Sequence, residues 1–587
     1  MCFFKRSGST VFHRHHTIAH GDTHALILRH LVRADCAPSY VRRGQRQPVS
    51  LTCVTSRISC IGIGHPPRMF PIEVDRSLVA VFAHVRSPLI ALVSAASVAT
   101  SAWAAGPLPH DDVAWMQRAG FGIDSAAAAR YRELGRLRYL DAELADRGED
   151  ALPLPVGSLI HSYEAIDTSA SQLVAQLDNE QQRLRSMTDG NDKTAAKKAL
   201  QRHGRDLVEQ AQQAVLLRAI YGSNPLKEQL VWFWLNHFSV HALKKRVRWV
   251  AADYEENTIR PHALGKFRDI VMATLKSPAM LEYLDNAQNA KDKINENYAR
   301  ELLELHTLGV GSGYSQGDVQ QLARILTGVG LVPASERARQ RASGRQSLVV
   351  RDGLFEFNPA RHDFGDKTLL GQRIKGSGFH EVEQAVDLIV RQPACAAFVS
   401  RQLAEYFVAD QPPPSLVAKM ARTFLRSDGN IADVMRVMFT SKELSASYGK
   451  KFKDPMQFVV SSVHLAYDGK PIVNPARVAG WLRQLGEPVF GRSTPDGWPL
   501  DAAGWSSSGQ MARRFEIARA IGAGNNALFT PAGGDRVDTG PPRLTTPIYH
   551  DAIEPRLMAA TRAALDKAGS QQEWNTYFLS SPDFNYR

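Results

Sequence analysis

Beyond residue 60 this chain has a single cysteine, Cys395. No disulfide can form within that long remainder, so its fold must rest on an apolar core. The length permits such a core in one large or two moderate domains. The other four cysteines, Cys2, Cys36, Cys53 and Cys60, sit in a segment of different character. Residues 1–104 hold 12 Lys/Arg against 4 Asp/Glu, a net of +8 out of +12 for the whole chain. The basic balance is therefore an N-terminal property, and the rest of the chain gives no charge-based reason to expect nucleic-acid binding.

Residues 86–104 account for that difference. Arg86 precedes the apolar run Pro88–Thr100, and Ala102-Trp103-Ala104 places small residues at both ends of an A-x-A cleavage pattern. Charge, length and cleavage site describe a secretory signal peptide. The run is too short and too rich in Ser and Ala for a membrane span. A signal peptide belongs at an N-terminus, so translation is expected to start at Met69. Residues 1–68 would then be an upstream extension from gene calling, 69–104 the signal peptide region and 105–587 the mature protein. The rival reading is a genuine basic extension, whose His13-Arg-His-His16 would resemble a metal tract. The expected product is exported, periplasmic or secreted, with no membrane span after cleavage.

From residue 105 onward the apolar spacing is mostly helical. Asp111 and Asp112 open a first helix that Ala119–Gly122 breaks, and Ser125–Asp146 continues in helix. Residues 170–221, interrupted near Thr188–Asp192, predict a long helical hairpin. Asn224-Pro225 starts the helix carrying Trp232–His237, and helices are expected at 252–260, 264–275, 278–287, 296–308 and 315–328. Residues 331–347 are basic and loop-like. Short apolar runs between Gly, Asn, Pro and Asp over 348–372 predict a small β-hairpin. Helical spacing resumes over 380–445, 454–468, 474–485 and 550–567. Phe439–Leu444 echoes Leu579–Phe584, and the serines of both could cap helices. The fold class read from this is mainly α: a large multi-helix domain with a small β-hairpin insert.

The polar residues cluster unevenly. In Asn295–Gly309, a helical projection puts Asn297, Arg300, Glu301 and Glu304 on one face and Tyr298, Ala299, Leu302, Leu303 and Leu305 on the other. Leu284–Asn289 and Trp232–His237 place further amides, an acid and a histidine in apolar surroundings. Glu301 and Glu304, three apart, suit a divided acid and base role or a shared cation. Asn297 is placed to donate to Glu301. The bland alternative is a solvated face on which Arg300 pairs with Glu304. His306 falls in the apolar arc and reads as a core residue donating to a carbonyl. His237 and His241 have the spacing of a two-imidazole metal face, but Phe238 stands where the zinc-protease pattern needs Glu. His362-Asp363 and Asp366-Lys367 lie on the expected hairpin, where loop chemistry and plain turn chemistry compete. Trp232, Trp234 and Cys395 read as core.

Taken together, several motifs resemble a bacterial family called domain of unknown function 1800. They are Arg118–Gly122, Phe233–Phe238, Asn295–Gly309, His362–Gly371, Lys453-Asp-Pro455, Pro495–Pro499 and the closing Ser581–Arg587. The likeness runs in order over roughly 111–587. It implies an exported, largely helical protein with no general activity assigned. It also implies a partner, since such genes often neighbour those of another family, numbered 1501, that resembles alkaline phosphatases and sulfatases.

No G-x-S-x-G elbow, P-loop, dinucleotide fingerprint or C-x-x-C is present. Two functional classes remain. In the first, a catalytic or ligand-binding cleft uses Glu301 and Glu304 with His237, His362 and Asp363. Asn236, Asn297, Arg300 and Lys367 would contact substrate, and hydrolysis of an envelope or environmental polymer could be metal-assisted. Carboxylates and histidines without cysteine would favour Ca²⁺, Mg²⁺, Mn²⁺ or Zn²⁺. In the second, the chain is a non-catalytic exported binding or assembly protein working with the phosphatase/sulfatase-like partner. Its polar clusters would then fix helix packing. Convergence of Glu301, His237 and His362 on one open cleft separates the two.

Overall fold

The computed structural model describes residues 108–145, 151–332, 348–524, 527–531 and 533–587. The expected leader and extension, residues 1–104, lie outside them. Helices dominate, and their ends follow local chemistry. Asp124 caps Ser125–Leu144 by accepting from the Ala127 N–H at 2.7 Å. Ser169 and Gln172 form a reciprocal capping box at the start of Ala170–Ser186. That helix and Asn191–Tyr221 are the two arms of the expected hairpin. The second arm has 31 residues, about 46 Å at the usual rise.

Pro225–His237 is a central helix, capped by Asn224 and buried continuously from Leu226 to Leu235. Its Trp232 and Trp234 are 4% and 0% exposed, and the Trp234 indole donates to the Ala263 carbonyl at 2.9 Å. Around it, two expected helices change pitch. Residues 252–260 become a short α turn followed by a π-helical stretch, Tyr254–Ile259. The 296–308 helix is α only over Asn297–Glu301 and π over Leu302–Thr307. Ser508–Gly522 and Gln571–Ser580 are helices that the sequence reading left unassigned.

The β insert is two small sheets rather than one hairpin. β1 (Val329–Leu331), β2 (Val350–Asp352) and β3 (Phe355–Phe357) form an antiparallel sheet in the order β1-β3-β2. β4 (Lys367–Leu369) pairs with β5 (Gln372–Ile374), joined by Leu370-Gly371, both at positive φ as a two-residue hairpin turn requires. β1 escaped the sequence reading because its three residues continue an apolar helical pattern and their partner, β3, lies 26 positions on.

Four helices, Phe379–Val390, Pro393–Phe407, Pro414–Arg426 and Ile431–Phe439, pack next, with Pro414 tolerated as a first helical residue. The two echoing serines do cap: Ser441 accepts from Leu444 N–H and Ser581 from Phe584 N–H. Cys395 is fully buried, and burial raises its thiol pKa. The described residues share one continuous apolar core. Among them no helix is long and apolar enough to cross a membrane.

Candidate functional site

The acidic helix keeps its charge on the wet side and satisfies most of it locally. Arg300 reaches Glu304 at 3.2 Å, Glu296 at 3.3 Å and Gln316 at 2.7 Å. Asn297 does not serve Glu301. Its side-chain amide donates to the Leu284 carbonyl at 3.1 Å, tying the helix start to the preceding turn. Glu301 is half-buried and makes no hydrogen bond among the described residues. Its pKa is raised by burial first, then by Glu304 and by Asp496, against the pull of Arg300. Asp496 belongs to the Pro495–Pro499 loop and is itself held by Arg492 at 2.6 and 3.0 Å, which keeps its pKa low despite burial.

That loop is anchored by Asn236. The Asn236 amide nitrogen donates to the Trp498 carbonyl at 3.0 Å, and its oxygen accepts from the Trp498 N–H at 2.5 Å. Between them Gly497 sits at φ +73°, where a Cβ would meet the Asn236 carbonyl oxygen at 2.4 Å. Two separate sequence motifs are thus one contact.

His237 and His306 form a second, apolar centre. His237 Nε2 donates to the His306 carbonyl at 2.9 Å, and the rings lie 6.2 Å apart. Phe233, Trp234, Phe238, Phe267 and Phe398 surround His237. Burial lowers its pKa to about 4; burial and then the neighbouring His237 lower that of His306 to about 3. His306 is core, as expected, but its Nε2 has no hydrogen-bond partner among the described residues. His241 shares no helical face with His237, because the helix ends at His237.

His362, Asp363 and Lys367 occupy a third centre at the β insert. His362 Nδ1 lies 2.7 Å from the Thr327 carbonyl and Nε2 lies 2.9 Å from Glu381. The Thr327 hydroxyl also lies 3.3 Å from Nδ1. The Glu381 oxygen that faces His362, Oε1, also accepts from the Ser377 and Gly378 N–H groups, and Oε2 takes Lys367 Nζ at 2.5 Å. Lys367, His362 and Glu381 are 1%, 1% and 0% exposed. Asp363 is paired with Arg324 at 2.8 and 3.2 Å, which keeps its pKa low.

The nine predicted site residues therefore divide among three centres. Glu301, Glu304, Arg300 and Asn297 share the first, to which Asn236 binds the loop. His237 belongs to the second, and His362, Asp363 and Lys367 to the third. None lines the cavities of about 630, 540 and 500 Å³. Among the described residues no three His, Cys, Asp or Glu side chains cluster closely enough to hold a metal ion.

Sequence reasoning missed Glu381, which sits in a helix's first turn and carries no local mark of its partners. It also missed a buried charge lattice made from motifs already noticed. Arg118 donates to the carbonyls of Phe407, Val408, Ser447 and Arg587. Arg587 donates to Gln229 at 3.2 Å and to the Tyr406 carbonyl at 2.9 Å. Nearby, burial and then Asp454 push the Glu487 carboxyl well above its ordinary range, while Lys453 is driven well below its own by burial, Arg587 and Arg514.

No curated protein and no solved structure matches this chain. One family, described as "Protein of unknown function (DUF1800)", matches residues 114–586. That match covers the acidic helix, the histidine pair, the β insert and the charge lattice apart from Arg587, and on its extent the chain belongs to the DUF1800 family.

Proposed function

We propose that this protein is an exported, non-catalytic binding or assembly protein that works with an alkaline-phosphatase/sulfatase-like partner of the unknown-function 1501 family. One observation carries the reading: the polar residues expected to form a catalytic cleft lie in three separate centres, most of them already paired. A hydrolase needs a base and an acid or electrophile aimed at one reacting atom; the pairing of His237 with the His306 carbonyl and of His362 with Glu381 supports a packing role for both instead. Internal networks of this kind fix how elements pack. Export is supported by the Arg86–Ala104 pattern. No nucleic-acid partner is proposed.

Glu301 favours a second reading. It is the carboxylate of its cluster without a hydrogen bond, and its raised pKa suits a proton acceptor in a ligand cleft. One experiment separates the two. The full chain and Glu301→Gln are purified without chelator, analysed for divalent metal, and assayed on phosphate, sulfate and glycan esters. The binding reading expects no turnover and no stoichiometric metal that depends on Glu301. Turnover or bound metal lost in the variant would overturn it in favour of the cleft.

A further inference from the structure

An open groove of about 630 Å³ runs beside the Ala170–Ser186 and Asn191–Tyr221 hairpin, within the size range of ligand sites. One wall is the segment Lys245-Arg246-Val-Arg248-Trp249, a basic run ending in an aromatic. The cations of that wall are not equivalent. Lys245 shares the Asp285 carboxylate with Lys244, and Arg246 faces Asp178 at 3.4 Å. Arg248 has no acidic partner among the described residues. Its Nη2 donates to the Leu243 carbonyl at 3.0 Å, and its Nε is buried with no partner.

The neighbouring helix is adapted to this arginine. Gly204 stands well inside Asn191–Tyr221, where glycine costs about 1 kcal/mol relative to alanine. A Cβ there would lie 2.5 Å from Arg248 Cδ and 3.4 Å from Trp249 Nε1. The glycine lets the arginine stem cross the helix and places the guanidinium at the groove. Three amides, Gln181, Gln201 and Gln288, line the same space, with Glu282 as its one lining acid. Amides both donate and accept, which suits hydroxyl groups.

We propose that this groove binds an acidic oligosaccharide, with a carboxylate or sulfate on Arg248 and hydroxyls on the three glutamines. The proposal rests on the binding reading above and gives it a ligand class. A nucleic acid fits less well, because it asks for several unneutralised cations in a row.

The test is titration calorimetry of the full chain with an oligogalacturonate (carboxylate), a carrageenan oligosaccharide (sulfate), cellotetraose (neutral) and single-stranded RNA. One of the two acidic sugars should bind at one site per chain, and which of them binds identifies the anion. Cellotetraose should not bind. Arg248→Gln and Gly204→Ala should each weaken binding about tenfold or more, the former with an unchanged unfolding midpoint. Arg513→Gln, an exposed arginine outside the groove, should bind as wild type. The proposal is overturned if neither acidic sugar binds, if cellotetraose binds equally, if RNA binds more tightly, or if both groove variants bind as wild type. None of these outcomes bears on ester hydrolysis, which tests the binding reading separately.

Discussion

His306 shows how much a single residue's setting decides. Its place in an apolar arc predicts burial, and it is buried, yet the chemical consequence comes from what surrounds it. Both His237 and His306 titrate below the ordinary imidazole value of 6.5, at about 4 and about 3. Between those values and 6.5 the unfolded chain takes up protons that the folded chain refuses. The stability linked to the pair is therefore complete above pH 6.5 and is lost as the pH falls toward 4. Each imidazole contributes a slope of about 1.4 kcal/mol per pH unit in that window. Wild type and His306→Leu should thus differ in pH slope, with the variant losing about 2 kcal/mol less between pH 6.5 and 5. Urea unfolding at the two pH values measures it, and equal slopes would show that His306 is not held neutral by the fold. Other titrating groups cancel in the comparison. Glu301 marks the opposite case: its position on a wet helix face was legible, but its lack of a partner depends on where Asp496 and Arg300 lie.

Elements join through contacts that periodicity does not encode. Asn236 closes Pro225–His237 and holds the loop at Trp498, more than 250 positions later. Gly497→Ala puts a Cβ into a left-handed residue and against the Asn236 carbonyl, a strain of about 1–3 kcal/mol. A urea midpoint equal to wild type would show that the loop yields freely and that Asn236 is not its anchor. At the β insert, Glu381→Gln leaves Lys367 buried without its counter-charge. The expected destabilisation is about 3–5 kcal/mol. Lys367 also donates to the Asp363 carbonyl, and a loss below about 1 kcal/mol would mean that this acceptor, or water, suffices for it. Helix content, caps and the Thr188–Asp192 break were readable because each acts within a turn or two. The π-helical stretches at Tyr254–Ile259 and Leu302–Thr307 were not, since an extra residue in a turn is accommodated by packing.

Across the whole molecule, the buried charge lattice ties together segments from opposite ends of the described chain. Arg118 donates to the Arg587 carbonyl across 469 positions, and Phe452 bridges Tyr586 in antiparallel fashion. Arg587→Ala removes a donor from Gln229, which keeps Gln457, and strips the buried Tyr406 carbonyl of its guanidinium partner. It should lower unfolding stability by about 3 kcal/mol or more. A thermal midpoint within a degree or two of wild type would show that the closing segment is not part of the cooperative unit.

By itself the sequence determined the mainly helical class, the caps at Ser441 and Ser581, the burial of Trp232, Trp234, His306 and Cys395, and the motifs by which the family is recognised. These follow from apolar spacing and from short-range hydrogen bonds, whose partners lie a few residues away. Only the tertiary structure decided that His362 meets Glu381, that His237 meets His306 and that Asn236 meets Trp498. Nor does local sequence show why Gly204 sits inside a helix; the reason is Arg248, 44 positions on. Burial makes such pairings obligatory, because a charge or amide removed from water must find a partner. Which partner it finds is set by how distant elements pack, and no local pattern carries that information.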